Sequence, residues 1–159
     1  MTTQIKGNAT STFGGNIDVT GNVVTDAPAF SAKRSGTQAI SSVVWTKVQF
    51  NTEEFDTNSN YDNVTNYRFT PTVAGYYQVT VNNEAATSIS YNYSAIYKNG
   101  SNVYKNSTGA GVGTGVIATA LVYLNGTTDY VEGYVLYASS ANLAGTAGTY
   151  FQAYLARAV

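Results

Sequence analysis

The fold class follows from one stretch of the sequence, VIATALVYLNG at residues 116–126. Strand side chains point alternately to the two faces of a sheet. One face of this run carries five apolar residues: Val116, Ala118, Ala120, Val122 and Leu124. The other face carries Ile117, Leu121 and Tyr123. The closing Asn-Gly pair is a strong turn signal, because both residues tolerate positive φ. The stretch therefore predicts a strand that is apolar on both faces and ends in a turn.

Similar runs recur along the chain without any stretch of sustained helical periodicity. Short runs of Val, Thr, Tyr and Phe are separated by Asn, Gly, Asp and Ser, and a second Asn-Gly pair stands at residues 99–100. The runs occupy residues 42–50, 75–81, 95–98, 130–137 and 150–157. Turn signals at this spacing, with no helical segments between them, predict an antiparallel sandwich or barrel.

The last two runs also lack a polar face. In residues 130–137, Tyr130, Tyr134 and Leu136 oppose Val131, Val135 and Tyr137, and in residues 150–157, Tyr150 and Tyr154 oppose Phe151, Ala153 and Leu155. A sandwich has one inner face per sheet, so a second apolar face needs another cover. The simplest cover is another copy of the chain, because homo-oligomers bury self-complementary patches. The alternative is that amphipathic tyrosines lie exposed to solvent.

Composition excludes many functions. A chain of 159 residues favours one domain. It has no histidine and no cysteine, so imidazole bases, thiolate nucleophiles, disulfides and zinc sites of the usual kinds are excluded. A net charge of −1 argues against nucleic acid as a partner. No apolar run approaches the ~20 residues that span a bilayer, and we expect no membrane association.

Residues 1–27 differ from the rest of the chain. They are poor in apolar residues and rich in Gly, Asn and Thr, and Ile17, Val19 and Val23 alternate with polar residues. Their side-chain volume is too small for a core, which is typical of an arm that becomes ordered on a partner. The alternative is a disordered tail.

From Pro28 onward the sequence resembles the complement C1q / tumour-necrosis-factor (TNF) superfamily of trimeric jelly rolls. The matching blocks, in order, are AFSA (29–32), WTKVQFNTEEFD (45–56), NYD (60–62), YRFTPTVAGYY (67–77), IYKNG (96–100), VYLNGTTDYV (122–131) and YFQAYL (150–155). The most specific are F-x-P-x-x-x-G-Y-Y at 69–77 and F-x-A-x-L at 151–155. The sequences of the blocks are more similar to bacterial and bacteriophage members of the superfamily than to animal complement. Residues 1–27 show no collagen-like repeat. A weaker similarity links GNIDVTGNV, residues 15–23, to repeats in phage fibre and structural proteins.

This resemblance implies an all-β, ten-stranded antiparallel jelly-roll sandwich at residues 28–159. The composition of residues 1–27 adds a short β-rich arm before it. The resemblance also implies a homotrimer that packs around a threefold axis through one sheet, using aromatic residues of strands that include the last one. We therefore expect Tyr130, Tyr134, Tyr150 and Tyr154 at the subunit interface, where tyrosine suits a partly wet, partly apolar contact.

Few residues could carry chemistry. Oxygen-bearing side chains alternate between Asp56 and Asp62, as in calcium loops, but Tyr67 stands where an EF-hand has its bidentate glutamate. A solvated loop is the favoured interpretation, with Asp56 and Asp62 as weak metal candidates. Glu53 and Glu54 are neighbours on a strand and point apart, so they cannot flank one glycosidic bond. We expect no catalytic residues and no cofactor. Tyr91, Tyr93 and Tyr104 are candidates for ligand contact.

The favoured function is a non-enzymatic structural protein of a bacteriophage virion, assembled in the bacterial host cytoplasm and placed on the virion surface. In this hypothesis a trimeric knob binds major capsid or tail proteins through its arm. An arm of 27 residues reaches at most about 95 Å, which favours a capsid decoration (cement) protein over a fibre shaft. The alternatives are a receptor- or glycan-binding knob of a tail fibre or bacterial surface protein, which binds host surface glycans, and an enzyme such as a capsule depolymerase.

Overall fold

A computed structural model describes residues 26–109, 111 and 113–159. In that part of the chain every regular element is a strand. The strands are β1 (Ala29–Lys33), β2 (Gln38–Ile40), β3 (Thr46–Lys47), β4 (Thr52–Asp56), β5 (Tyr61–Asp62), β6 (Arg68–Phe69), β7 (Gly75–Glu84), β8 (Asn92–Lys98), β9 (Ser101–Thr108), β10 (Gly115–Leu124), β11 (Val131–Tyr137), β12 (Ala141–Leu143) and β13 (Tyr150–Ala158). The proposed attachment residues Ile17, Val19 and Val23 lie outside the described residues.

The strands form a two-layered antiparallel sandwich. The first sheet has the order β10-β7-β13-β1-β4, and the second has the order β5-β6-β11-β8-β9, with β3 added to β11. A small pair, β12-β2, forms a third sheet. The predicted all-β jelly-roll sandwich is confirmed. Its described strands outnumber the expected ten because several are pieces of two or three residues.

Aromatic side chains fill the space between the two sheets. The ring of Phe30 stacks on Tyr61 and on Phe69, with centroid separations of 4.6 and 4.5 Å, and meets Phe151 edge-on at 4.8 Å. The Tyr61 hydroxyl donates to the carbonyl of Phe50 at 2.9 Å. Burial raises the pKa of Tyr61, so this hydroxyl stays a neutral donor. The phenol of Tyr61 is therefore buried with its hydrogen-bond partner.

The G-Y-Y block shows why those residues recur at the start of β7. A Cβ on Gly75 would meet the carbonyl oxygen of Arg157 and the side chain of Leu155, because β7 and β13 approach closely there. Tyr77 points into the core and donates its hydroxyl to Val73 O at 2.7 Å. Tyr76, the residue between them, points outward and is exposed. The block therefore places one tyrosine on each side of the first sheet.

Both Asn-Gly pairs end strands, as predicted, but through different turns. Asn99 and Gly100 have φ of 51° and 77°, the paired positive values of a type I′ hairpin turn. Asn125 instead starts a longer loop, and its side-chain oxygen accepts the backbone N–H groups of residues 127–129. Asp129 joins the two turns, since its carboxylate binds Asn99 Nδ2 at 2.7 Å and Lys98 Nζ at 2.8 Å.

Candidate functional site

Five large apolar side chains lie exposed on the outer face of the first sheet along β10, β7 and β13, and we call them the apolar face: Tyr76, Ile117, Leu121, Tyr123 and Tyr154. Their exposed fractions run from 41% for Tyr76 to 58% for Leu121. Phe55 is also exposed on this side of the sheet, but on the edge strand β4. Tyr76 pairs with Tyr123, their rings 5.6 Å apart, and Leu121 and Tyr154 flank the same residue of β7. The apolar face therefore extends across the three neighbouring strands β10, β7 and β13.

Three polar side chains in the middle of this face, Gln78, Thr80 and Thr119, already bond to one another. Gln78 Nε2 donates to Thr119 Oγ1 at 2.8 Å, and the hydroxyls of Thr80 and Thr119 are 3.1 Å apart. Thr119 also donates to the carbonyl of Val79 at 3.1 Å. Burying a polar group is costly chiefly when it loses its partners. A second protein surface could therefore cover this face without leaving these groups unpaired.

A charged pair lies beside the apolar face on β1 and β4. Glu54 accepts a hydrogen bond from the Ser31 hydroxyl at 2.8 Å and pairs with Lys33 Nζ at 3.1 Å. The Ser31 hydrogen bond, followed by the contacts with Lys33, lowers the pKa of Glu54. The two charges are solvent-exposed and give this part of the sheet a polar rim. Glu54 is therefore held in place by Ser31 and Lys33, and its hydrogen bonds are with these two side chains rather than with a second carboxylate.

The four tyrosines expected at the subunit interface do not form one surface. Tyr154 belongs to the apolar face, and Tyr150 is half-buried on the same side of β13, opposite Lys33 and Asn82. Tyr134 lies on β11 of the second sheet and stacks on Tyr97 with centroids 3.9 Å apart. Tyr130 precedes β11 and lies under the guanidinium of Arg68, which is 4.5 Å from its ring centroid. The structure thus separates the pair Tyr150 and Tyr154 from the pair Tyr130 and Tyr134.

Four members of the apolar face were not among the candidate interface residues. The sequence contained a clear signal for Ile117, Leu121 and Tyr123, because they form the second apolar face of the run at residues 116–124. Tyr76 had a weaker one, since its neighbours on that face, Gln78 and Thr80, are polar. Pairing β10 with β7 brings Tyr76 next to Tyr123.

A second aromatic surface lies on the outer face of the second sheet, and we call it the aromatic row: Tyr91, Tyr93, Trp45, Tyr97 and Tyr134. Successive ring centroids are 5.6, 6.0, 6.0 and 3.9 Å apart. Tyr91 is exposed and the other four are half-buried. The row brings together β8, β11 and the segments just before β3 and β8, which are distant in sequence.

An ion pair and a lysine border the aromatic row. Lys47 Nζ is 2.6 Å from Glu132 Oε1, whose side chain is buried, and it also donates to Asn66 O at 3.2 Å. Burial, with a further contribution from Glu132, raises the pKa of Tyr134 to about 12. At the other end, Lys105 Nζ lies 5.8 Å from the Tyr93 ring centroid. The row therefore has an ion pair at one end and a lysine at the other.

The three tyrosines proposed for ligand contact lie on different sides of the second sheet. Tyr91 and Tyr93 belong to the aromatic row. Tyr104, on the edge strand β9, pairs with Ile96. Ile96 is buried between the sheets, so Tyr104 lies on the inner side of β9, and Lys105 lies on the outer side. The structure brings two of the three together and excludes Tyr104 from their surface.

The carboxylates of Asp56 and Asp62 are occupied by the chain itself. Asp56 accepts the backbone N–H groups of Asn58 and Tyr61, at 3.2 and 2.6 Å. Asp62 accepts those of residues 64–66 and the Asn66 side chain. These hydrogen bonds, led by those from Thr65 and Val64, lower the pKa of Asp62 to about 2. Both side chains hold turns, and the described residues contain no group of three or more Asp and Glu side chains suited to a metal ion.

The comparisons with known proteins agree at the level of the fold. No protein-family model and no curated protein matches this sequence. Among solved structures, the globular domain of zebrafish complement 1qA protein is 15% identical, with a TM-score of 0.58 over 84% of this chain and 99% of that one. Eiger TNF from S. frugiperda is 10% identical, with a TM-score of 0.63 over 84% and 93%. PRD1 vertex protein P5 is 16% identical, with a TM-score of 0.56 over 80% of this chain and 70% of that one.

These similarities establish the class of structure. The chain has a C1q/TNF-like jelly-roll fold, as the sequence blocks between residues 29 and 155 indicated. Identities of 16% or less show a shared architecture only. Function has to be argued from the surfaces of this chain, because one fold can carry many functions. In the described part of the chain, no helix could cross a membrane.

Proposed function

We propose that this protein is a non-enzymatic structural subunit on the surface of a bacteriophage virion, where three copies form a knob through the apolar face. The observation that carries the proposal is the apolar face itself, with five large side chains exposed on adjacent strands. Contiguous exposed patches of this kind are typical of protein–protein interfaces. A second copy is the simplest occupant, because a symmetric assembly covers the same patch on every subunit.

The polar groups of this face support its burial. Thr80, Thr119 and Gln78 bond to one another within the sheet, so covering these three side chains removes few hydrogen bonds to water. The Lys33–Glu54 pair stands at the side of the face, where a solvent-accessible rim is expected. This arrangement, with an apolar centre and a polar border, is the usual anatomy of an interface.

Two further observations support a virion location. PRD1 vertex protein P5, a phage protein, shares the fold. Residues 1–27 have the composition of an arm that becomes ordered on a partner, and we assign them attachment to a major capsid or tail protein. Within this class we propose a capsid decoration protein, whose knob the arm holds on the capsid.

Light scattering on the full chain, and on a chain that begins at Pro28, tests the assembly. We expect a threefold mass for both, because the apolar face lies on the knob and the arm serves attachment. A monomeric mass for the full chain at about 100 µM would contradict the trimer.

Cryo-electron microscopy of the parent virion tests the location. Density for the knob over threefold positions of the capsid would support a decoration protein, and density at a fibre tip would refute that finer assignment. No density for the chain on the particle would refute the virion proposal as a whole.

A further inference from the structure

The aromatic row on the second sheet has no part in the proposed assembly. It lies on the outer face of the sheet opposite the one that carries the apolar face. The two surfaces also differ in chemistry. The apolar face contains the aliphatic side chains Ile117 and Leu121, whereas the row consists of one tryptophan and four tyrosines in continuous contact.

Rings arranged in this way suit a ligand that has flat C–H faces and a polar rim. The face of an aromatic ring is electron-rich, so it can pack against C–H groups. The hydroxyl of a neighbouring tyrosine can form a hydrogen bond at the edge of the same ligand. Tyr91 and Tyr93 meet edge-to-face, with an angle of 80° between their planes, and form a corner rather than a flat stack. A sugar ring has both properties that such a corner requires.

The charge beside the row limits the chemical class of the ligand further. Lys33, Lys47 and Lys98 each have a carboxylate within 3.1 Å. Among the lysines of the described residues, Lys105 has no such ion pair. It is exposed on β9 and extends over the Tyr93 ring. An exposed ammonium next to an aromatic surface favours a ligand with a carboxylate, because a charge-assisted hydrogen bond is stronger than a neutral one.

We propose that the aromatic row binds an acidic saccharide, whose sugar rings pack on Tyr91, Tyr93 and Trp45 and whose carboxylate pairs with Lys105. This inference does not depend on the oligomeric state, since all of these residues belong to one chain. It places the site on the face of the sheet and excludes Tyr104.

Calorimetric titration of the full chain with tetragalacturonate tests the proposal, with methyl-esterified tetragalacturonate as the uncharged counterpart. We expect saturable binding of the acid and at least about tenfold weaker binding of the ester. Lys105→Gln and Tyr93→Leu should each weaken binding of the acid by about tenfold or more. Tyr104→Leu is the matched control, because Tyr104 is an exposed tyrosine next to Lys105 on the other side of β9, and it should leave binding within about twofold.

Each other outcome overturns the proposal. Equal binding of acid and ester removes the role of the carboxylate, and binding of neither probe removes the site. Loss of binding in Tyr104→Leu would place the ligand elsewhere. Urea unfolding of each variant shows whether it is folded, and Lys105→Gln keeps the test valid if Tyr93→Leu is unstable, since Lys105 is exposed on an edge strand. The mass of each sample, measured in parallel, separates this result from the fate of the trimer.

Discussion

Leu121→Asp is the most direct perturbation of the proposed assembly. Leu121 is 58% exposed in the single chain and is the most exposed member of the apolar face. It lies on β10 between Ile117 and Tyr123, opposite Gln78 of β7. Its side chain points away from the core, because its strand neighbours Val122 and Ala120 are buried or half-buried. An aspartate there should leave the single subunit folded and act chiefly on association.

The magnitude follows from the exposed area. Full burial of a leucine stabilises by roughly 1.5–3 kcal/mol, so covering the exposed 58% of Leu121 is worth about 1–2 kcal/mol per subunit. Three copies give about 3–5 kcal/mol for the trimer. The association constant should therefore fall roughly a hundredfold to several thousandfold. Desolvating three carboxylates in one interface weakens association further, so this range is a lower bound.

Sedimentation velocity over a dilution series from about 100 µM to 0.1 µM measures the change. Val44→Asp is the matched control, because Val44 is 51% exposed but lies just before β3, beside the second sheet. We expect the control to keep the wild-type mass and Leu121→Asp to dissociate at much higher concentration. If Leu121→Asp keeps the wild-type mass throughout the series, the apolar face is not the subunit contact and the reasoning fails.

Three further predictions concern the stability of the fold, all measured by urea unfolding at one protein concentration. Lys47→Met should lower the free energy of unfolding by about 3 kcal/mol, because it leaves the buried Glu132 carboxylate unpaired; the double variant Lys47→Met/Glu132→Leu should recover much of the loss, and an unchanged Lys47→Met would contradict the pairing. Gly133→Ala should cost about 1–3 kcal/mol, because its Cβ would lie 2.7 Å from Phe50 Cε2, and a neutral result would show that the core yields there. The pKa of Asp62 is lowered to about 2 in the folded chain, so its stabilising contribution is present above the unfolded value and is lost as the pH falls from about 4 towards 2. The stability difference between wild type and Asp62→Asn should therefore shrink over that range, and a constant difference would refute the role of the carboxylate.

Local alternation predicted which side chains of a strand share a face. Val116, Ala118, Val122 and Leu124, which the alternation placed on one face, all lie in the core, and their neighbours on the other face are exposed. This works because the two-residue period of a strand fixes the face of every residue once one face is buried. The resemblance supplied the rest of the architecture, since the specific blocks around Gly75 and Phe151 coincide with strand contacts that the fold requires.

Alternation could not predict which strands share a sheet. The runs that contain Tyr134 and Tyr154 have the same double apolar pattern, yet β11 lies in the second sheet and β13 in the first. The assignment depends on long-range pairing, which the local period does not encode. Trp45 was not among the ligand-contact candidates for the same reason, because its contacts with Tyr93 and Tyr97 join residues about a third of the chain apart.

The spacing of Asp56 and Asp62 was equally ambiguous in sequence. Alternating oxygen side chains are typical of calcium loops, and they are also typical of turns in which an aspartate accepts backbone N–H groups. In the structure both carboxylates accept hydrogen bonds from backbone N–H groups of turns. Only the backbone conformation decides between the two, because the same side chains suit either.

The two outer faces together have a consequence for binding. Assembly through the apolar face would turn each first sheet towards its neighbours and each second sheet away from them, so a trimer would present three aromatic rows. Each row offers a few rings and one unpaired lysine, which is typical of a weak single site. Linked sites can exceed the affinity of one by roughly 10²–10⁴ when a polymer spans them. Three weak sites, one on each subunit, would therefore be sufficient for firm attachment to a polysaccharide surface. Assembly through the apolar face would link these sites and so raise the overall affinity.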